Sequence, residues 1–86
     1  MSNDIDNILT PSQCRAARGL IRMSQAELAK TARVGTKTVA DFEREVDRQL
    51  NHRTLRALRE ALEAGGVEFI PENGGGAGVR LRRAES

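Results

Sequence analysis

The chain carries one cysteine, Cys14, one histidine, His52, and a scatter of carboxylates set mostly beside basic residues. None of these is spaced for catalysis. There is no helical His-Glu-x-x-His zinc site, no glycine-flanked serine nucleophile and no paired Cys–His arrangement. The glycine-rich run at residues 74–78 lacks the Gly-Lys-Ser/Thr ending and the following helix of a phosphate loop, so it is expected to be a flexible turn. A lone cysteine excludes an internal disulfide and a cysteine zinc site. No enzyme, no metal and no cofactor is expected. Basic side chains remain as the chemistry on offer. They recur through residues 15–22, 30–37 and 44–59, while Asp41, Glu43, Glu45 and Asp47 form a local acidic stretch. Fourteen Lys and Arg against twelve Asp and Glu give a net charge of +2, so their distribution matters more than their sum.

The frame for these side chains is small. Eighty-six residues, 38% apolar and with only Phe42 and Phe69 aromatic, make one domain of closely packed short helices. So few rings argue against a stacking platform for single-stranded nucleic acid. No apolar run approaches the roughly 18 residues of a membrane span, and the polar, acidic start does not read as a signal peptide. No membrane association and a cytoplasmic, nucleoid location are expected.

Residues 1–9 read as a loose leader, with Ile5, Ile8 and Leu9 able to lie on the first helix. Thr10, Pro11 and Gln13 form a capping box with proline at the first helical position, predicting a helix to about Arg22. Its apolar stripe is Cys14, Ala17 and Ile21 with Leu20 beside them. Arg15, Arg18 and Arg22 share another face, expected to be solvated. Ser24 and Glu27 make a second capping box. The short helix after it carries Leu28, Ala29 and Ala32, and Val34-Gly35 interrupts before a third helix with Val39 and Phe42 inside. Asn51 caps a fourth helix with Leu55, Leu58, Ala61 and Leu62 on its apolar face, ended by Gly65-Gly66. Beyond it, two partly alternating runs at 67–70 and 79–82 flank the glycine turn and predict a hairpin.

The informative segment is residues 25–43. Two helices this short must cross steeply, which requires a small residue, Ala29, at the contact. Leu28, Val34, Val39 and Phe42 are spaced to lock the pair onto the first helix. The first turn of the third helix is then free to enter a major groove, where base edges are read.

The pattern Ser24-Gln25, Leu28-Ala29, Val34, Val39 and Phe42-Glu43 resembles the Cro/repressor (XRE) helix-turn-helix family over roughly residues 12–64. Thr54-Leu55, Leu58 and Ala61-Leu62 are similar to the helix that follows in that family. The resemblance implies a lambda-repressor-like, mainly α, four-helix domain at 10–64, to which residues 65–86 add the short C-terminal hairpin. It implies that Gln25 contacts a phosphate or braces the recognition helix. Thr36, Lys37, Ala40 and Asp41 fall at positions addressing bases. Lys37 would donate to guanine O6 or N7, and Thr36 would meet a base or a thymine methyl; Asp41 would accept from cytosine N4 or orient Lys37. Thr38, Arg44, Arg48, His52 and Arg53 are phosphate candidates. Two positions depart from the family: Arg33 stands where glycine is frequent, and Gly35 where a Ser or Thr cap is frequent. A left-handed arginine costs about 1 kcal/mol or more, so the turn falls at Arg33 or is shifted by one residue.

The function implied is sequence-specific binding of double-stranded DNA as a transcriptional regulator, by default a repressor. One such domain makes few contacts, so a homodimer on an inverted repeat is expected, with half-sites about 34 Å apart. The hairpin residues Val67, Phe69, Val79 and Leu81 are the dimerisation candidates, because an isolated hairpin is marginal and its edge invites pairing. Two alternatives remain: an antitoxin or autorepressor whose tail grips a partner protein, and an interaction adaptor that keeps the fold without DNA binding.

Overall fold

Each helix begins where the local chemistry supplies partners for its free amides. A computed structural model describes residues 8–45, 50–71 and 74–82. Helix α1 (Pro11–Ile21) starts with the Gln13 amide donating to Thr10 Oγ1 and the Thr10 amide donating to Gln13 Oε1, both at 3.0 Å. Helix α2 (Gln25–Ala32) repeats the device, the Glu27 amide donating to Ser24 Oγ at 3.0 Å and the Ser24 amide to Glu27 Oε1 at 2.8 Å. Helix α4 (His52–Ala64) is capped by Asn51, whose Oδ1 accepts from the Thr54 amide at 2.8 Å. Helix α3 (Thr36–Glu43) starts after Gly35, with no side-chain cap.

The two tight turns share one geometry. Arg22 and Arg33 both adopt the left-handed conformation, at φ 56° and 62°. The Met23 amide donates back to the Arg18 carbonyl at 3.0 Å, and the Val34 amide to the Ala29 carbonyl at 2.9 Å. This is the six-to-one closure usually built on glycine. The turn between α2 and α3 therefore falls at Arg33, not one residue later, and Thr36 opens α3. Arg33→Gly removes the Cβ conflict at the expense of a more mobile unfolded chain. We expect a net gain of about 0.5–1 kcal/mol, raising the melting temperature by a few degrees in a thermal scan. A drop would mean that the Arg33 side chain makes a compensating contact.

The core gathers Cys14 and Ala17 from α1, Leu28, Ala29 and Ala32 from α2, Val39 and Phe42 from α3, and Leu58, Ala61 and Leu62 from α4. Ile8 and Leu9 join it, so this end of the leader packs onto the domain. The α1 stripe differs from expectation at its edge: Leu20 is exposed and the amide of Gln13 is buried. Gln13 reaches across to donate to the Gly78 carbonyl at 3.4 Å.

Strands β1 (Val67–Ile70) and β2 (Gly78–Leu81) pair antiparallel, with Val67 opposite Leu81 and Phe69 opposite Val79. Gly66, at φ 111°, lets the chain reverse straight out of α4. Among the described residues the fold is thus four helices with a C-terminal hairpin, as the sequence predicted. The hairpin's dimerisation candidates are unequally exposed. Val67 and Phe69 are buried in the domain's own core, with Val79 packed against it, and of the four dimerisation candidates only Leu81 is exposed, at 52%. The reason is geometric: both strands lie against α1 and β1 also against α4, and Arg59 on α4 stacks its guanidinium 4.7 Å from the Phe69 ring centre. The two strands therefore pack on the helices. On its outer face Arg80 forks onto Glu68, two bonds of 3.2 Å.

Candidate nucleic-acid interface

The presumption that charged residues on short helices lie in solvent fails at one place, and that place anchors α3. Glu43, the last residue of α3, is 2% exposed. Arg18 of α1 meets it with two bonds, Nε to Oε2 at 2.8 Å and Nη2 to Oε1 at 2.6 Å. Gln25, the first residue of α2, donates to the same Oε1 at 3.0 Å. The remaining Arg18 nitrogen donates to the Met23 carbonyl at 2.9 Å, fixing the α1–α2 turn. Arg15 donates to the Glu43 carbonyl. Three helices are tied at one carboxylate, and no described buried side-chain polar atom lacks a partner.

Arg18 was expected on a solvated face and Glu43 within a local acidic stretch; Arg18, partly covered, instead pairs with a buried Glu43. A signal existed. Arg18 follows Cys14 by one turn and Glu43 follows Val39 by one turn, so each charge extends its helix's buried stripe. Opposite charges on two apolar stripes are the pattern of an internal pair.

The electrostatics follow from this geometry. Burial alone would raise the Glu43 carboxyl, but the bonds from Arg18, Cys14 and Gln25 outweigh it and leave it below the ordinary 4.5. The same carboxylate raises Arg18 and, after burial itself, pushes up the Cys14 thiol, which stays a neutral core side chain. A carboxyl lowered by folding gives stability that is complete above its unfolded value and lost as pH falls through its folded one. Thermal melts should be level from neutral pH to about pH 5 and decline below pH 4.5. Glu43→Gln should flatten that acid limb, and an unchanged limb would place the titration elsewhere.

With its inner end fixed, α3 presents Thr36 and Lys37 fully outward, with Thr38, Ala40 and Asp41 partly covered. Lys37 and Arg44 both bond Asp41, at 3.2 Å each. Hydrogen bonding and charge from Lys37, then from Arg44, hold the Asp41 carboxyl below its ordinary range. The Gln25 side chain is joined to the end of α3 through Glu43. Asp41 accepts from both Lys37 and Arg44. His52 and Arg53 stand exposed in the first turn of α4, joined to the α3 group by none of the described ion pairs. Arg48, also a phosphate candidate, lies outside the described residues, as do Asp47 of the acidic stretch and Ile5 of the leader.

The arrangement offers hydrogen-bond donors and cations on one helix, its inner end tied to α1 and α2 through Glu43. Among the described residues no cluster of His, Cys, Asp or Glu could hold a metal ion. No described helix is long and apolar enough to cross a membrane. Set against known proteins, the chain matches no family model and no curated protein. The resemblance to the Cro/repressor pattern rests on the residues quoted above.

Proposed function

We propose that this protein binds double-stranded DNA through α3 as a sequence-specific transcriptional regulator of the Cro/repressor type, by default a repressor. The observation that carries the reading is the anchoring of α3. Its last residue is locked to α1 and α2 through Glu43, and its first turn follows a rigid left-handed turn at Arg33. The outward face so fixed holds Thr36, Lys37 and Arg44, groups suited to base edges and phosphates. Rigid placement matters because base readout needs donors set within ordinary hydrogen-bond distances.

The adaptor alternative drew on the acidic stretch. Glu43 is internal, Asp41 is held by two cations and the exposed Glu45 pairs with Arg15, so each described carboxylate of that stretch lies beside a cation. The homodimer on an inverted repeat remains part of the proposal. Val67 and Phe69 serve the domain's own core, so a homodimer that used the hairpin would pair through its strand edges.

The test is an NMR titration of the labelled protein with a mixed-sequence duplex at low salt, where phosphate contacts are strongest. Shifts concentrated at residues 36–44 and the first turn of α4 support the reading. Shifts confined to the hairpin, or none at all, reject it.

A further inference from the structure

Among the described residues, the two large apolar side chains left exposed are Leu20 of α1, at 39%, and Leu81 of β2, at 52%. They border one seam. Strand β2 runs beside α1 in the same direction, and near the helix start its Gly78 carbonyl accepts from Gln13. At the other end the Arg82 amide donates to the Gly66 carbonyl at 2.7 Å, and a Cβ on the adjoining Gly65 would stand 2.8 Å from Ile21 Cδ1. Leu20, seven residues after Gln13, shares that flank of the helix. The outward face beside it is Ser12, Ala16 and Gly19, all exposed and uncharged. Glycine weakens a helix relative to alanine. A Cβ on Gly19 would meet nothing within 4 Å, so no packing inside the domain requires a glycine there.

We propose that this seam, centred on Leu20 with Ala16, Gly19 and Leu81, docks a second copy of the chain about a two-fold axis. The proposal deepens the homodimer reading above and does not depend on what α3 binds. Charge selects the partner. A two-fold contact lays the strip on itself, and the strip is uncharged, so no like charges meet at its centre. Each rim holds one cation and one carboxylate, Arg15 with Glu45 and Arg80 with Glu68, both pairs well exposed. Balanced rims fit their own copies better than they fit a strongly acidic or basic partner. Gly19 and Ala16 leave room for Leu20 of the second copy. From Ser12 to Leu20 the strip spans about 12 Å of helix axis. With its rims it falls short of the roughly 800 Å² per partner of a standard interface, so the dimer is weak, with a Kd on the order of 10 μM. Arg18, which holds the end of α3, stands on nearly the opposite side of α1, so docking here leaves the α3 face open.

The experiment is sedimentation velocity of the full chain without DNA, at concentrations from about 2 to about 500 μM, spanning the expected Kd. Wild type should pass from monomer to dimer across that range. Leu20→Glu sets two carboxylates against each other across the axis and should raise the Kd by about tenfold or more. Its melting temperature at low concentration should stay near that of wild type, because Leu20 lies at the surface. Gly19→Gln separates docking from folding. Glutamine is the better helix former, so the melting temperature should rise while the dimer weakens by about tenfold. Wild type that stays monomeric throughout overturns the inference. A dimer that either variant leaves intact overturns it equally, since the contact then lies elsewhere. Should Leu20→Glu not fold, Gly19→Gln decides alone. A dimer that depends on Leu20 but binds no duplex would keep this inference and reject the DNA reading. Duplex binding by a chain that never dimerises through Leu20 would do the reverse.

Discussion

Glu43→Ala is expected to destabilise the domain by about 3–5 kcal/mol, the effect of leaving one member of a buried ion pair without its partner. Arg18, whose side chain is 20% exposed, would keep its charge in a partly covered site, with only the Met23 carbonyl still accepting from it. Gln25 would lose its acceptor in the same step. Against a total of about 4–13 kcal/mol for a chain of this length, such a loss removes much of the folding free energy. Urea denaturation at neutral pH measures it directly, through a lower midpoint. Replacing both charges with leucine should be milder than Glu43→Ala alone, because no uncompensated charge remains. A loss below about 1 kcal/mol for Glu43→Ala would mean that the pair behaves as a surface bridge and does not anchor α3.

Lys37→Ala is expected to weaken binding to a preferred duplex by about 1–3 kcal/mol while leaving the fold intact. Lys37 is 86% exposed and its one described bond is to Asp41, so its removal takes nothing from the core. The pattern of the loss carries the information. A base-reading lysine relaxes preference at one base pair per half-site, whereas a phosphate-binding lysine weakens all sequences alike and lowers the salt slope by about one. Anisotropy titrations on matched duplexes separate the two. Uniform weakening would move Lys37 to the backbone and take the base-reading role from the first turn of α3.

Much of this architecture was legible in the sequence, because helix starts and apolar spacing are local signals. Thr10 with Gln13, Ser24 with Glu27, and Asn51 each announced a helix that the fold contains. The hairpin followed from alternation around a glycine-rich turn. Arg33 was harder. Its left-handed conformation runs against local preference and is imposed by the helices it joins, held by the buried Leu28 and Val39. The Arg18–Glu43 pair spans 25 positions, and no local rule says which charges will meet across three helices. The hairpin shows a third kind of gap. Alternation marked Val67 and Phe69 as one apolar face, but not whether their own core or a second copy would cover it. For the candidate site, spacing located α3 and its outward residues, while the commitment of Gln25 to Glu43 and of Asp41 to Lys37 and Arg44 emerged only from the packed helices.

Selection of bound sequences from a random duplex pool, with a parallel melt to show that the protein is folded, tests the central claim most directly. The account predicts an inverted repeat with half-site centres about one helical turn, roughly 34 Å, apart. A folded protein that recovers no motif even at low salt would contradict it.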